Sequence, residues 1–141
     1  MKLAILVSAL AMFVTGLASA ATAADLTLNL STRGSGGRIA VAVYRNAEAF
    51  RRGEGPVASR MVARTGAVTS LTIAGLAPGR YAVAAFHDTD GNGDLTLWPI
   101  GLPREAYGFS NDARGRFGPP SFARAAFDLP AVGATQAFRL H

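Results

Sequence analysis

The chain has 141 residues, half of them hydrophobic, and no cysteine, which excludes disulfides, thiolate metal sites, cysteine nucleophiles and thioether lipidation. Its formal net charge is +5, and apart from Lys2 every basic residue is an arginine. The arginines are scattered, with Arg51-Arg52 the single adjacent pair. That spread serves solubility and argues against a nucleic-acid partner, which needs a concentrated basic face; weak attraction to anionic polysaccharide or lipid head groups stays open.

Met1-Lys2 forms a positive head, Leu3 to Leu17 is apolar apart from Ser8, Thr15 and Gly16, and Ala18-Ser19-Ala20 supplies a small-x-small cleavage site. This pattern predicts a Sec-type signal peptide over residues 1–20, with a second triplet, Ala21-Thr22-Ala23, allowing cleavage as late as 23. The apolar core is shorter than the roughly 20 residues of a spanning helix, so no stable membrane span is expected after processing. The expected product is periplasmic or secreted, and not a lipoprotein. Residues 24–141 suffice for one hydrophobic core and are read as a single domain.

Beyond the leader, alternation replaces helical periodicity. Leu26, Leu28 and Leu30 share one face of a predicted strand, and Ile39, Val41 and Val43 share one face of the next. Arg33-Gly34-Ser35-Gly36-Gly37 between them is a flexible hairpin connection. Asn46 to Gly53 predicts a short helical turn, capped by Asn46, pinned by Phe50 and ended by Gly53. Strands are then expected over Val57–Ala63, Val68–Ile73 and Arg80–His87, with Ala77-Pro78-Gly79 as the tight turn before the last of these. In Arg80–His87, Tyr81, Val83 and Ala85 face one way and Ala82, Ala84 and Phe86 the other, so this strand is expected to be central and covered on both sides. Phe122–Leu129 and Thr135–Leu140 complete the count. Seven to eight short strands with regular turn signals predict an all-β antiparallel sandwich carrying one long irregular loop.

The central strand leads into Asp88-Thr89-Asp90-Gly91-Asn92-Gly93-Asp94. Asp88, Asp90 and Asn92 occupy relative positions 1, 3 and 5 of a calcium loop, with Gly93 at position 6. Position 12 is Pro99 instead of a bidentate glutamate, and a strand leads in instead of a helix, so the loop is not an EF-hand. A calcium site here takes Asp88, Asp90, Asn92 and Asp94, completed by a backbone carbonyl, water or a distant acid such as Glu105, and is weak. Two other readings stand beside it. Asp, Asn and Gly are ordinary turn residues, and Arg104, Arg114 or Arg116 could fold back to pair the acids.

Pro99 to Pro120 is rich in glycine, proline and arginine and long for a loop, which marks function. Five aromatics lie in or beside it. Trp98 and Tyr107, each with a polar handle, are the candidates for exposure and ligand contact, with Arg114 and Arg116 as an anion clamp. Phe109, Phe117 and Phe122 read more simply as a private core under the loop. Pro119-Pro120 stiffens the approach to the next strand.

Catalytic signals are sparse. No G-x-S-x-G, H-E-x-x-H or P-loop occurs, and with His141 the last residue, His87 is the one imidazole placed for acid–base work. A hydrolase using His87, Glu105 or Asp112 is the enzymatic alternative; for His87 a satisfied strand-end role is the simpler one.

Gly75-Leu76-Ala77-Pro78-Gly79-Arg80-Tyr81 resembles the turn-and-strand signature of prealbumin-like sandwiches. The continuation AVAAFHDTDGNGDL and GLPREAYGFSNDARGRFGPPSFARAAF resembles the DUF2141 family of exported bacterial proteins, over most of residues 26–140. The resemblance implies a small periplasmic or secreted β-sandwich (prealbumin-like or Ig-like) and carries over no activity or functional residue. In similar sequences a lysine commonly stands where Asp94 does here, and an aspartate where Thr96 does. The expected function is a non-enzymatic envelope module that binds a ligand or partner, with a calcium-stabilised loop; the alternative is a binder of carbohydrate or anionic polymer such as an envelope polysaccharide.

Overall fold

A computed structural model describes residues 22–93 and 104–141. Two sheets face each other. The smaller has the order β4-β1-β8, with β1 at Ala24–Ser31, β4 at Val68–Leu76 and β8 at Ala134–Arg139. The larger has the order β3-β2-β5-β6, with β2 at Arg38–Tyr44, β3 at Ala58–Ala63, β5 at Gly79–Asp88 and β6 at Tyr107–Phe109; β7, Phe127–Leu129, also pairs with β5. The strand count and the sandwich are as the alternation predicts.

The alternation also places the core. Leu26, Leu28 and Leu30 from β1, Ile39 and Val43 from β2, Ile73 from β4 and Val83 from β5 are fully buried between the sheets. Each such side chain contributes roughly 1.5–3 kcal/mol by leaving water. The expected cover on the outer face of β5 is partial: Ala82 is buried there, whereas Ala84 and Phe86 are half-buried. There Ala82 joins Tyr44, Phe50 and Ala125 in a second cluster. Phe50 is its hub, meeting Tyr44, Phe109 and Phe122 edge-on at 5.7, 5.7 and 6.0 Å. Phe50 is delivered by helix α1, Ala47–Arg52, whose Asn46 cap accepts from Ala49 N–H at 2.9 Å and whose end is Gly53 in the left-handed region at φ 66°.

Three features depart from the sequence reading. First, Phe122–Leu129 is not one strand. Phe122–Ala125 is a single helical turn, α2, and β7 begins only at Phe127. Ser121 caps the turn by accepting from Arg124 N–H at 3.3 Å, and the helical twist brings Phe122 onto Phe50 and buries Ala125 beside it. Second, β1 and β8 run parallel, Leu26 opposite Ala134 and Leu30 opposite Phe138, within an otherwise antiparallel structure. Third, the expected long loop contains ordered backbone: β6, then a 3-10 turn at Ser110–Asp112. Phe109 and Phe122 join the outer cluster, but Phe117 is fully exposed at 102% and belongs to no private core. The backbone doubles back so tightly that a Cβ on Gly115 would collide with the Gly118 carbonyl oxygen, which leaves Arg116 and Phe117 at the tip.

β6 joins the two sheets along one side. Tyr107 N–H donates to the His141 carbonyl oxygen at 3.1 Å and His141 N–H returns to Tyr107 O at 2.9 Å. The approach leaves no room for a side chain at position 108, where a Cβ would collide with the Arg139 carbonyl oxygen. Between β7, which pairs with residues 79–81 of β5, and β6, which pairs with residues 84–86, a gap in the ladder remains. The fully buried Ser110 hydroxyl fills it: Oγ accepts from Val83 N–H at 2.9 Å and donates to Ala125 O at 2.5 Å.

Candidate functional site

β5 ends in a buried pair, His87 and Asp88, at 2% and 0% exposure. His87 turns toward the β1–β2 connection, which crosses from one sheet to the other and does not close the hairpin expected from its glycines. Its Nε2 lies 2.7 Å from Gly36 O, so the ring donates there. Gly37 sits against the same strand end at φ 71°, where a Cβ would fall 2.6 Å from Asp88 O and 2.9 Å from His87 Nε2. The imidazole is therefore a tether between this inter-sheet connection and the strand, the simpler of the two roles its position allows.

Asp88 organises the turn that follows. Oδ1 accepts from Gly91 N–H at 2.9 Å and Oδ2 from Gly93 N–H at 3.0 Å. Asp90 Oδ1 accepts from Asn92 N–H at 3.1 Å. Glu105, buried and arriving from the far side of the loop, accepts through Oε1 from Thr89 N–H at 3.0 Å and the Thr89 hydroxyl at 3.3 Å. Carboxylate oxygens of Asp88, Asp90 and Glu105 come within 4.8 Å of one another. At that spacing each ionised pair repels by on the order of 3 kcal/mol at an effective dielectric constant near 20. The backbone donors offset part of this, and a hard dication between the oxygens would reverse it. Of the loop residues expected to hold calcium, the structure brings Asp88 and Asp90 together with the distant acid Glu105. Asn92 is exposed in the same turn, and Asp94 lies outside the described residues.

The candidate ligand-binding residues fare unevenly. Trp98 lies outside the described residues. Tyr107 and Arg114 meet in a cavity of about 170 Å³, where Asp112, Arg139 and His141 also line the wall; Arg116 is not among its lining residues. Arg114 Nη2 approaches His141 Nε2 at 2.5 Å, and Asp112 Oδ1 accepts from Arg139 N–H at 2.8 Å. Burial and the neighbouring Arg114 and Arg139 guanidiniums hold the His141 imidazole below its ordinary pKa of 6.5, with Asp112 opposing them. Asn111 and Asp112 are successive non-glycine residues in the left-handed region, φ 61° and 49°. Asn111 is fixed there by donating Nδ2–H to Ala126 O at 2.8 Å and Arg124 O at 3.2 Å.

A larger hollow, about 510 Å³ and mainly apolar, lies on the outer face of the larger sheet. Its floor includes Ala40, Ala42 and Ala84, its walls Tyr44, Phe86 and Tyr107, and Gly93 of the acidic turn reaches its rim.

A model of the family described as uncharacterized protein conserved in bacteria (DUF2141) matches residues 31–137. The chain belongs to the DUF2141 family. The match spans β2 through most of β8, so it takes in the acidic turn, β6 and Arg114, while Arg139 and His141 fall beyond it. No curated protein and no solved structure matches the chain. Among the described residues, no helix is long and apolar enough to cross a membrane.

Arg139 and His141 escaped the sequence reading. Neither sits in a motif, and only the pairing of β6 with the chain beyond β8 carries them to Arg114. Glu105 did have a signal: an acid at the far end of a loop that opens with acids.

Proposed function

We propose that this DUF2141 chain is a non-enzymatic envelope module, exported by its N-terminal leader to the periplasm or beyond, whose acidic turn is ordered by calcium. One observation carries the metal: three carboxylates, two of them buried, converge from the two ends of one loop. A hard cation takes oxygen ligands of this kind, and the backbone carbonyls and Asn92 of the turn are further oxygen donors nearby. Calcium there would tie β5 to the approach to β6 and so set the rim on which ligands or partners meet the sandwich. The reading is non-enzymatic because the His87 ring is buried and its Nε2 is already bonded to Gly36 O.

Melting the exported chain in chelator and in about 10 mM calcium tests the metal. With a dissociation constant of order 10⁻⁴–10⁻³ M, as in extracellular modules, calcium adds roughly 1.4–2.7 kcal/mol and raises the melting temperature by several degrees. Asp88→Asn with Asp90→Asn should abolish the rise. An unchanged melting temperature in calcium removes the metal from the reading.

A further inference from the structure

We infer that Arg114 and Arg139, with His141 between the β6 and β8 segments, form an oxyanion-binding pocket that takes a phosphate, sulfate or carboxylate group at the end of a larger polar ligand. This inference is independent of calcium and uses different residues.

The first support is unspent positive charge. Among the described residues, ion pairs form between Glu48 and Arg51 and Arg52, and none involves Arg114 or Arg139. Asp112, which lines the same cavity, has one oxygen committed to the Arg139 backbone N–H. Scattered surface arginines normally separate from one another in solvent. Here Arg114 touches the His141 imidazole, Arg139 lines the same cavity, and Arg139 and Arg33 add positive charge acting on the same ring.

The second support is shape. The cavity of about 170 Å³ is lined by Tyr107, Phe109, Gly115 and Gly118 together with Arg114, Arg139 and His141. A second cavity, about 390 Å³, shares Asp112, Arg114, Arg139 and His141 with the first. An oxyanion fits the smaller space, and the larger gives room for its carrier. The left-handed backbone at Asn111 and Asp112 is held by hydrogen bonds from Asn111, so the turn that leads into Arg114 is preset.

The third support is how the ring is poised. The contact with Arg114 requires Nε2 of His141 to be an unprotonated acceptor, since guanidinium only donates. The charged groups that act on it are Arg114, Arg139, Arg33 and Asp112. An anion between the arginines would offset the share of the shift that comes from their positive charge, desolvation being the larger cause. Anion binding and protonation of His141 therefore favour each other.

The test is isothermal titration of the exported chain with sodium sulfate, in chelator and at ionic strength matched with chloride. Sulfate keeps its charge between about pH 5 and about pH 8, so any pH dependence belongs to the protein. Wild type should bind saturably and more tightly at the lower pH. Arg114→Gln and Arg139→Gln should each weaken binding about tenfold, with circular dichroism confirming an intact sheet. His141→Gln should keep binding but lose the pH dependence. Parallel titrations with inorganic phosphate and glucuronate show whether a phosphate or a sugar carboxylate is preferred. No saturable binding of any of the three, or binding indifferent to both arginine substitutions, overturns the pocket; equal pH dependence in wild type and His141→Gln overturns the role of the ring.

Discussion

The acidic turn and the cationic pocket flank the same three-residue strand, yet they are built in opposite ways. Asp88 and Asp90 are neighbours in sequence, and their charges, with that of Glu105, are met by backbone N–H groups within the loop. Arg114, Arg139 and His141 come from separate segments and meet only because β6 pairs with the chain beyond β8. The first site is local and largely self-satisfied. The second is assembled by tertiary structure and, among the described residues, its guanidiniums form no ion pair with an acid. Charge in a folded chain is thus informative in proportion to what the fold has left uncompensated.

The comparison breaks most completely at Gly108. Gly108→Ala should force β6 away from the Arg139 carbonyl, costing about 3 kcal/mol and disturbing both sites together. Denaturant unfolding measures the loss, and sulfate titration should fail in parallel. A smaller effect separates the sites: Asp88→Ala removes two charge-assisted acceptors from Gly91 and Gly93, costing about 2 kcal/mol, while sulfate affinity stays at the wild-type value. Loss of sulfate binding in that variant would show that the two regions are one unit.

The smallest effect is the pH dependence of stability. The native His141 imidazole has its pKa depressed, so the unfolded chain holds the proton more tightly. Its contribution is present above the unfolded value near 6.5 and is lost as pH falls through the lower native value. Melting temperatures should drift down across that window, less so with sulfate present, and His141→Gln should flatten this component of the drift.

Much of the scaffold was legible because its signals are local. Period-two apolar spacing located β1, β2 and β5, and Asn46 with Gly53 bracketed α1. Phe122–Leu129 misled because FARAAFDL has apolar residues compatible with either period, and the need to seat Phe122 against Phe50 decided for a helical turn. The parallel pairing of β1 with β8 joins opposite ends of the chain, a relation no window of sequence carries. Half of each charged site follows the same division. Asp88 and Asp90 were readable from their spacing, whereas Arg139 and His141 acquire meaning only through a pairing with Tyr107.

The Ser110 hydroxyl behaves as a rivet. It occupies the place of a missing strand, so the Val83 amide, which faces no ladder partner on that edge, should resist deuterium as stubbornly as the amides paired on either side of it. Because the same oxygen also grips Ala125, the helical turn and the middle of the sheet should open to solvent as one cooperative unit.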